Sequence, residues 1–207
     1  MEATGPTTNA SAAPGGRIAT RLWTAARTEF SSRGYHGARV QGIAKRAGCN
    51  VALLYRHWAS KRALYVEILK SIWIEGAKEI SDQLETSGGA RGVVSAYLET
   101  RMRDPEASQI VIRELLDGGP FLREIIATDP GMVLPSKRIA EVLKQGNGHA
   151  LRAGIDPEMA ALTVAGIAAL VGAARDSAQA FFQGGPPSAD TWKGHVTDML
   201  LHGLEAS

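Results

Sequence analysis

A single cysteine, Cys49, leaves this 207-residue chain without an intramolecular disulfide or a cysteine-based zinc site. One thiol and no disulfide framework suit a reducing compartment, and the cytoplasm is the expected location. Histidine is scarce too. His36, His57, His149, His195 and His202 show no paired metal-ligand spacing, so no metal is expected. No serine or cysteine nucleophile sits in a recognisable turn, and no glycine loop follows a strand. The glycines at 146–148 belong to a loop rather than a phosphate cradle. The sequence therefore implies no cofactor, no catalytic residue and no enzyme. Long hydrophobic runs are missing as well. The longest uncharged stretch, residues 159–174, falls short of the roughly 20 residues that span a bilayer. Glu158 and Arg175 bracket it, so it reads as a helix buried in protein, and no membrane partner is expected. The first 16 residues are small, polar and rich in Pro and Gly, with no apolar signal core, and read as a disordered tail. Strand-like alternation and internal repeats are absent, and the fold class is all-α.

The net charge of +2 conceals an asymmetry. Residues 1–70 hold eleven Lys and Arg against three acids, a balance of +8, whereas residues 71–207 hold twelve against eighteen, a balance of −6. A basic head on an acidic body suggests a polyanionic partner for the head alone.

That head parses into short helices. Residues 17–34 place Ile18, Leu22, Ala25, Ala26 and Phe30 on one face at a period near 3.6, and Gly34 stops the run. A second helix carries Val40, Ile43, Ala44 and Ala47 inward, and a third begins at Val51. Ala44 is small where a second helix would cross the first. Gly48, four residues on, reaches the positive φ that a tight turn requires. Ile43, Ala47, Cys49, Val51 and Leu54 have the spacing to plug the crossing, and Asn50 stands at the N-cap position of the third helix. Together these features predict a helix-turn-helix, with the third helix entering the major groove by its N-terminal end. A long helix follows, capped by Ser60, with Leu64, Ile68, Ile72, Ile80 and Leu84 joining head to body. The body is expected to be helical throughout, with helix starts at Asp104-Pro105 and Asp156-Pro157.

The run AARTEFSSRGYHGARVQGIAKRAGCNVALLYRHWASKRALY, residues 25–65, resembles the tetracycline-repressor family of transcriptional regulators. The resemblance rests on Ala25-Ala26 and Phe30, Gly34-Tyr35, Ile43-Ala44, Ala47-Gly48, Leu54-Tyr55, His57-Trp58, and Ser60-Lys61 before Leu64. It covers about 50 residues in one ordered series; the rest of the chain agrees only in layout. The resemblance implies an N-terminal helix-turn-helix DNA-binding domain (17–65) and a C-terminal effector-binding and dimerisation domain (66–207). The implied protein is a homodimeric, ligand-responsive regulator, expected to be a repressor, on a pseudo-palindromic operator. The alternative is a DNA-binding regulator with no small-molecule effector, acting as an activator or controlled by another protein.

The resemblance makes Tyr55 and Lys61 phosphate contacts. Arg39, Lys45 and Arg46 are further candidates for phosphate, with Arg39 standing where the family often has a hydroxyl. Arg56, Asn50 and Gln41 are the candidate base readers, and Val51, Ala52 and Leu53 offer apolar contact to a thymine methyl. His57, Trp58 and Cys49 are expected to pack the small domain. The effector pocket would lie among the central helices of the body, with Trp73, Tyr97, Arg101, Arg113, Glu114, Phe121 and His149 as polar or aromatic candidates. The last two long helices are the expected dimer face. Ala165, Ala168, Ala169, Gly172 and Ala173 would permit close approach there, sealed by Phe181, Leu200 and Leu201.

Overall fold

The computed structural model describes residues 16–84, 89–145, 151–182, 185 and 187–204. The expected N-terminal tail up to residue 15, the loop at 146–148 and His149 lie outside the described residues. Among the described residues every regular element is helical: α1 (Arg17–Gly37), α2 (Val40–Arg46), α3 (Val51–His57), α4 (Lys61–Leu84), α5 (Gly89–Arg103), α6 (Pro105–Leu116), α7 (Pro120–Thr128), α8 (Leu134–Gln145), α9 (Pro157–Ala178) and α10 (Ala189–Leu204). Short 3-10 turns at Pro130–Val133 and Gln179–Phe181 complete the set.

Local chemistry sets the helix boundaries. Asn50 Oδ1 accepts the Leu53 amide at 3.0 Å, Ser60 Oγ that of Ala63 at 3.0 Å, Asp104 Oδ1 that of Ala107 at 2.9 Å, and Asp156 Oδ1 that of Met159 at 2.9 Å. Each satisfies an amide that the first turn leaves without a partner. α1 breaks at Gly34, whose φ of 67° is open to glycine without strain. Within α1, Leu22, Ala25, Ala26 and Phe30 are buried as their period requires, but Ile18 is 40% exposed and Ala19 is buried instead. In the first turn of α1 it is thus Ala19, not Ile18, that joins the first core cluster.

Two apolar clusters form the core. In the first, Leu22, Phe30, Ile43, Leu54, Leu64 and Ile68 from α1–α4 pack with Ala107 and Ile110 of α6 and Ile125 of α7. In the second, Ile80 at the far end of α4 packs with Val93 and Leu98 of α5, Ile139 of α8, Val164 of α9 and Val196 of α10. α4 thus runs through both, and the basic head shares its apolar interior with α6 and α7.

α9 departs from expectation in the direction its small residues face. Ala168 and Ala169 are sealed inside the protomer, and a Cβ on Gly172 would meet the Arg101 carbonyl and the Ser108 hydroxyl. These small side chains let α9 approach the junction of α5 and α6 within one chain; spacing alone does not say which neighbour they serve. Leu201 is likewise buried in its own protomer. The outward face carries large residues: Met159 (70% exposed), Leu162 (72%) and Leu170 (55%), with Met199 of α10 and Phe181 also exposed. Over Pro157–Arg175, α9 is long and apolar enough to cross a membrane by length and composition alone. In the fold it packs on α5, α6 and α8.

Candidate nucleic-acid interface

The α2–turn–α3 unit is built by short-range bonds and one long reach. Cys49 donates its amide to Ala44 O at 3.0 Å and Gly48 to Lys45 O at 3.1 Å, closing α2 through a turn in which Gly48 has φ 63°. From α1, the Arg21 guanidinium donates to the carbonyls of Ala47 and Gly48. It neutralises the exposed end of α2 and fixes the turn against α1. A Cβ on Gly48 would lie 2.5 Å from Arg21 Nη2. Gly48 is therefore required twice, by its dihedral and by the space Arg21 fills. Sequence reasoning identified the glycine but missed Arg21, because nothing in local spacing marks a partner 26 residues away.

α3 is keyed into this frame by Leu54, which is fully buried, and by Trp58 just beyond its end, whose Nε1–H donates to Glu67 Oε2 at 2.8 Å. The opposite side of α3 faces solvent. Asn50, Ala52, Arg56 and His57 are exposed, Tyr55 is 49% exposed, and Val51 and Leu53 are half-buried. Gln41, Lys45, Arg46 and Arg39 are exposed on and before α2. Arg39 precedes α2 without a side-chain cap, which leaves its guanidinium for other partners.

Arg39, Lys45 and Arg46 line one concavity of about 450 Å³ with Glu29, Gly42 and Arg33. Glu29 is buried in its wall, 3.3 Å from Arg33 and 3.9 Å from Arg46. A Cβ on Gly42 would lie 2.8 Å from Glu29 Oε1, so the glycine admits the carboxylate. Glu29 offsets part of the charge here, and Arg33 adds a cation that sequence reasoning did not assign to this surface.

Lys61 is held in a particular way. Its ammonium donates to Tyr35 O at 2.8 Å and Ala38 O at 3.1 Å, and lies 4.4 Å from the Tyr35 ring centroid. An ammonium has three donors, so one remains for an external acceptor.

The candidate effector residues fall into two groups. Four are engaged in ties within the fold. Trp73 Nε1–H donates to Met132 O at 2.7 Å. Arg113 donates to Ser31 O at 2.8 Å and Ser32 O at 3.0 Å, tying α6 to the end of α1. Buried Glu114 accepts the amides of Phe121 and Leu122 at 2.8 and 3.0 Å and the Tyr65 hydroxyl at 3.2 Å, so it caps α7, which lacks a cap of its own. Burial beside Glu114 pushes the Tyr65 phenol well up, keeping it a neutral donor. The Phe121 ring packs against Tyr35 and Tyr65, with centroids 4.5 and 5.1 Å away. Tyr97 and Arg101 form the second group: both are buried on α5, one helical turn apart.

The profile described as "Bacterial regulatory proteins, tetR family" matches residues 22–68. The HTH-type transcriptional regulator RutR of Escherichia coli (strain K12) is 30% identical over 142 residues, covering 66% of this chain. The chain spans 65% of the length of that curated relative. Among solved structures, the ketosteroid transcriptional regulator KstR2 of Mycobacterium tuberculosis superposes with a TM-score of 0.68 at 21% identity, over 93% of this chain and 96% of that one. The transcriptional regulator FadR from Bacillus subtilis, solved in complex with stearoyl-CoA, gives 0.66 at 17% identity, over 88% and 97%. At these identities the two structures speak to the fold.

Proposed function

We propose, from the match of residues 22–68 to the tetR family of bacterial regulatory proteins and the likeness to RutR, that this chain is a member of that family and a homodimeric, cytoplasmic transcriptional repressor released from its operator by a small effector. The observation that carries the reading is the helix pair α2–α3. It is locked by Gly48, Arg21 and the Asn50 cap, with Tyr55, Arg56 and the cations of α2 turned to solvent. α3 enters the major groove, and Arg56, Asn50 and Gln41 read base edges. Tyr55, Lys61, Arg39, Lys45 and Arg46 hold phosphates, while Val51, Ala52 and Leu53 meet apolar groups on the groove floor.

The exposed face of Met159, Leu162, Leu170 and Met199 supports pairing through α9 and α10, because one chain leaves these large apolar side chains uncovered. Two copies then present two α3 helices to a pseudo-palindromic site. An effector in the body acts only through a difference in affinity between the DNA-competent and DNA-incompetent forms; a 100-fold difference corresponds to about 2.7 kcal/mol.

The test is binding to the promoter beside its own gene across a salt series. Each neutralised phosphate contributes about 0.9 to the slope of log K against log salt, so affinity falls steeply. A flat response, or no binding, defeats the proposal.

A further inference from the structure

We propose that Arg33 is a further phosphate contact of the reading head, and that buried Glu29 is the positioning residue that aims it. The inference rests on the DNA-binding reading above and adds to it a contact from α1.

Glu29 stands where a folded domain has little use for a carboxylate. It lies on α1 beside Phe30 and one turn from Ala25 and Ala26, all three buried, and is itself 3% exposed. An apolar side chain would fill that place at lower cost, because a carboxylate taken out of water is penalised unless cations match it. α2 gives way to it as well. Gly42 falls inside a helix of only seven residues, where glycine is a poor helix former, and a Cβ there would lie 2.8 Å from Glu29 Oε1. Two local losses of stability thus meet at one point, and both keep a carboxylate in place.

What the carboxylate holds is cationic and at the surface. Oε1 lies 3.3 Å from Arg33 Nε, and Oε2 lies 3.9 Å from Arg46 Nη2. The Arg33 side chain is 60% exposed and that of Arg46 50%, against 4% for Glu29. A guanidinium carries its donors in a rigid planar fork. Contact through Nε leaves the two terminal nitrogens of Arg33 for an outside acceptor and fixes the plane in which they point. The neighbours define that acceptor. Arg39, Lys45 and Arg46 line the same concavity, and among the described residues Glu29 is the one acid in its lining. Such a set takes an anion with several oxygens. Arg39 and Arg46 flank α2, the helix that crosses the DNA backbone when its partner lies in the groove, so the anion is a backbone phosphate. An acid this close weakens the pull on any phosphate, so charge alone does not account for Glu29. Orientation does: a guanidinium held at one edge has less freedom to lose on binding.

The test uses the full chain with Arg33→Met, Arg33→Lys and Gly42→Ala. The probes are the promoter beside its own gene and a scrambled duplex of the same composition, titrated across a salt series, with urea unfolding alongside. Arg33→Met should weaken binding to both duplexes about tenfold and make the slope of log K against log salt shallower by about 0.9, because one phosphate contact is lost. Arg33→Lys keeps the charge but has no Nε to anchor, so it should restore the slope and only part of the affinity. Gly42→Ala changes no charge and should not lower stability, since alanine is the better helix former and only the end of a flexible side chain must move. As a single change it should weaken binding several-fold, and in the Arg33→Met background it should have little further effect. Unchanged affinity and slope in Arg33→Met overturns the contact. Full rescue by Arg33→Lys, or no loss from Gly42→Ala, overturns the positioning role of Glu29. An equal loss from Gly42→Ala in both backgrounds overturns it too, by assigning the loss to the added methyl group. Should the wild type bind both duplexes alike, the operator reading fails, and Arg33 is still judged on the scrambled duplex. Should it bind neither, both readings fall.

Discussion

Replacing Gly48 by alanine should destabilise the chain by about 2–3 kcal/mol, through two separable causes. Gly48 holds φ 63°, where an L-residue with a Cβ is worse off than glycine by about 1–2 kcal/mol. Part of that is offset, by about 0.4–1 kcal/mol, because alanine narrows the unfolded ensemble. The new Cβ would also lie 2.5 Å from Arg21 Nη2, so the guanidinium must leave the carbonyls of Ala47 and Gly48. Hydrogen bonds from a charged donor contribute about 1.5–3 kcal/mol when well made, and less here because the Gly48 bond is exposed. For a chain of this size the sum corresponds to a fall in melting temperature of about 5–10 °C. The assay is urea unfolding at fixed protein concentration, since the proposed pairing of two copies would add to apparent stability. A double-mutant cycle with Arg21→Ala separates the causes. In that background the Gly48→Ala step should retain only the dihedral cost, about 1 kcal/mol, leaving a coupling of about 1–2 kcal/mol. Gly48→Asn should relieve some dihedral strain but still displace Arg21. Equal costs of Gly48→Ala in the two backgrounds would refute the role given to Arg21, and a cost within about 0.5 kcal/mol of zero would refute both causes.

Two further substitutions address the body. Gly172→Ala drives a Cβ into the Arg101 carbonyl and the Ser108 hydroxyl that donates to it, at a junction where backbone has little room to yield. Overpacking of about 1–3 kcal/mol is expected in urea unfolding, and an unchanged midpoint would contradict the close approach of α9 to α5. Leu162→Glu combined with Leu170→Glu places two charges on the exposed apolar face of α9; if two copies pair there as proposed, light scattering should read a monomer for the variant against a dimer for the wild type, and promoter binding should weaken with it. A dimer that survives both charges assigns the pairing to a different surface.

What was legible in the sequence was what short-range chemistry decides. Asn50 reads as a cap because the amide it satisfies is three residues on, and Gly48 reads as a turn because its dihedral is a property of one residue. Leu22, Phe30 and Leu54 follow from helical period alone. The ties across the fold were not legible. Arg113 and Glu114 stood out as polar residues inside an apolar pattern, but their partners are the carbonyls of Ser31 and Ser32 and the amides at the start of α7. A sequence announces that a buried polar group needs satisfaction; it does not say whether the chain or a ligand supplies it. Only coordinates show that the Arg113 guanidinium is engaged by carbonyls of α1. The direction of Ala168, Ala169 and Gly172 was hidden for a related reason, since small residues signal a close neighbour without identifying it.

The carbonyls at the end of α1 and just beyond it are held from two separate places. Arg113, rooted in α6, takes those of Ser31 and Ser32, and Lys61, rooted at the start of α4, takes those of Tyr35 and Ala38. α1 therefore travels as a passenger strapped to two carriers. A slide of α6 along α4, even one of an ångström, pulls the straps unequally and has to be taken up as a tilt of the reading head or as a broken charge-assisted bond. Sliding of packed helices is a shear, not a hinge, and what it delivers at the far end is a change of angle.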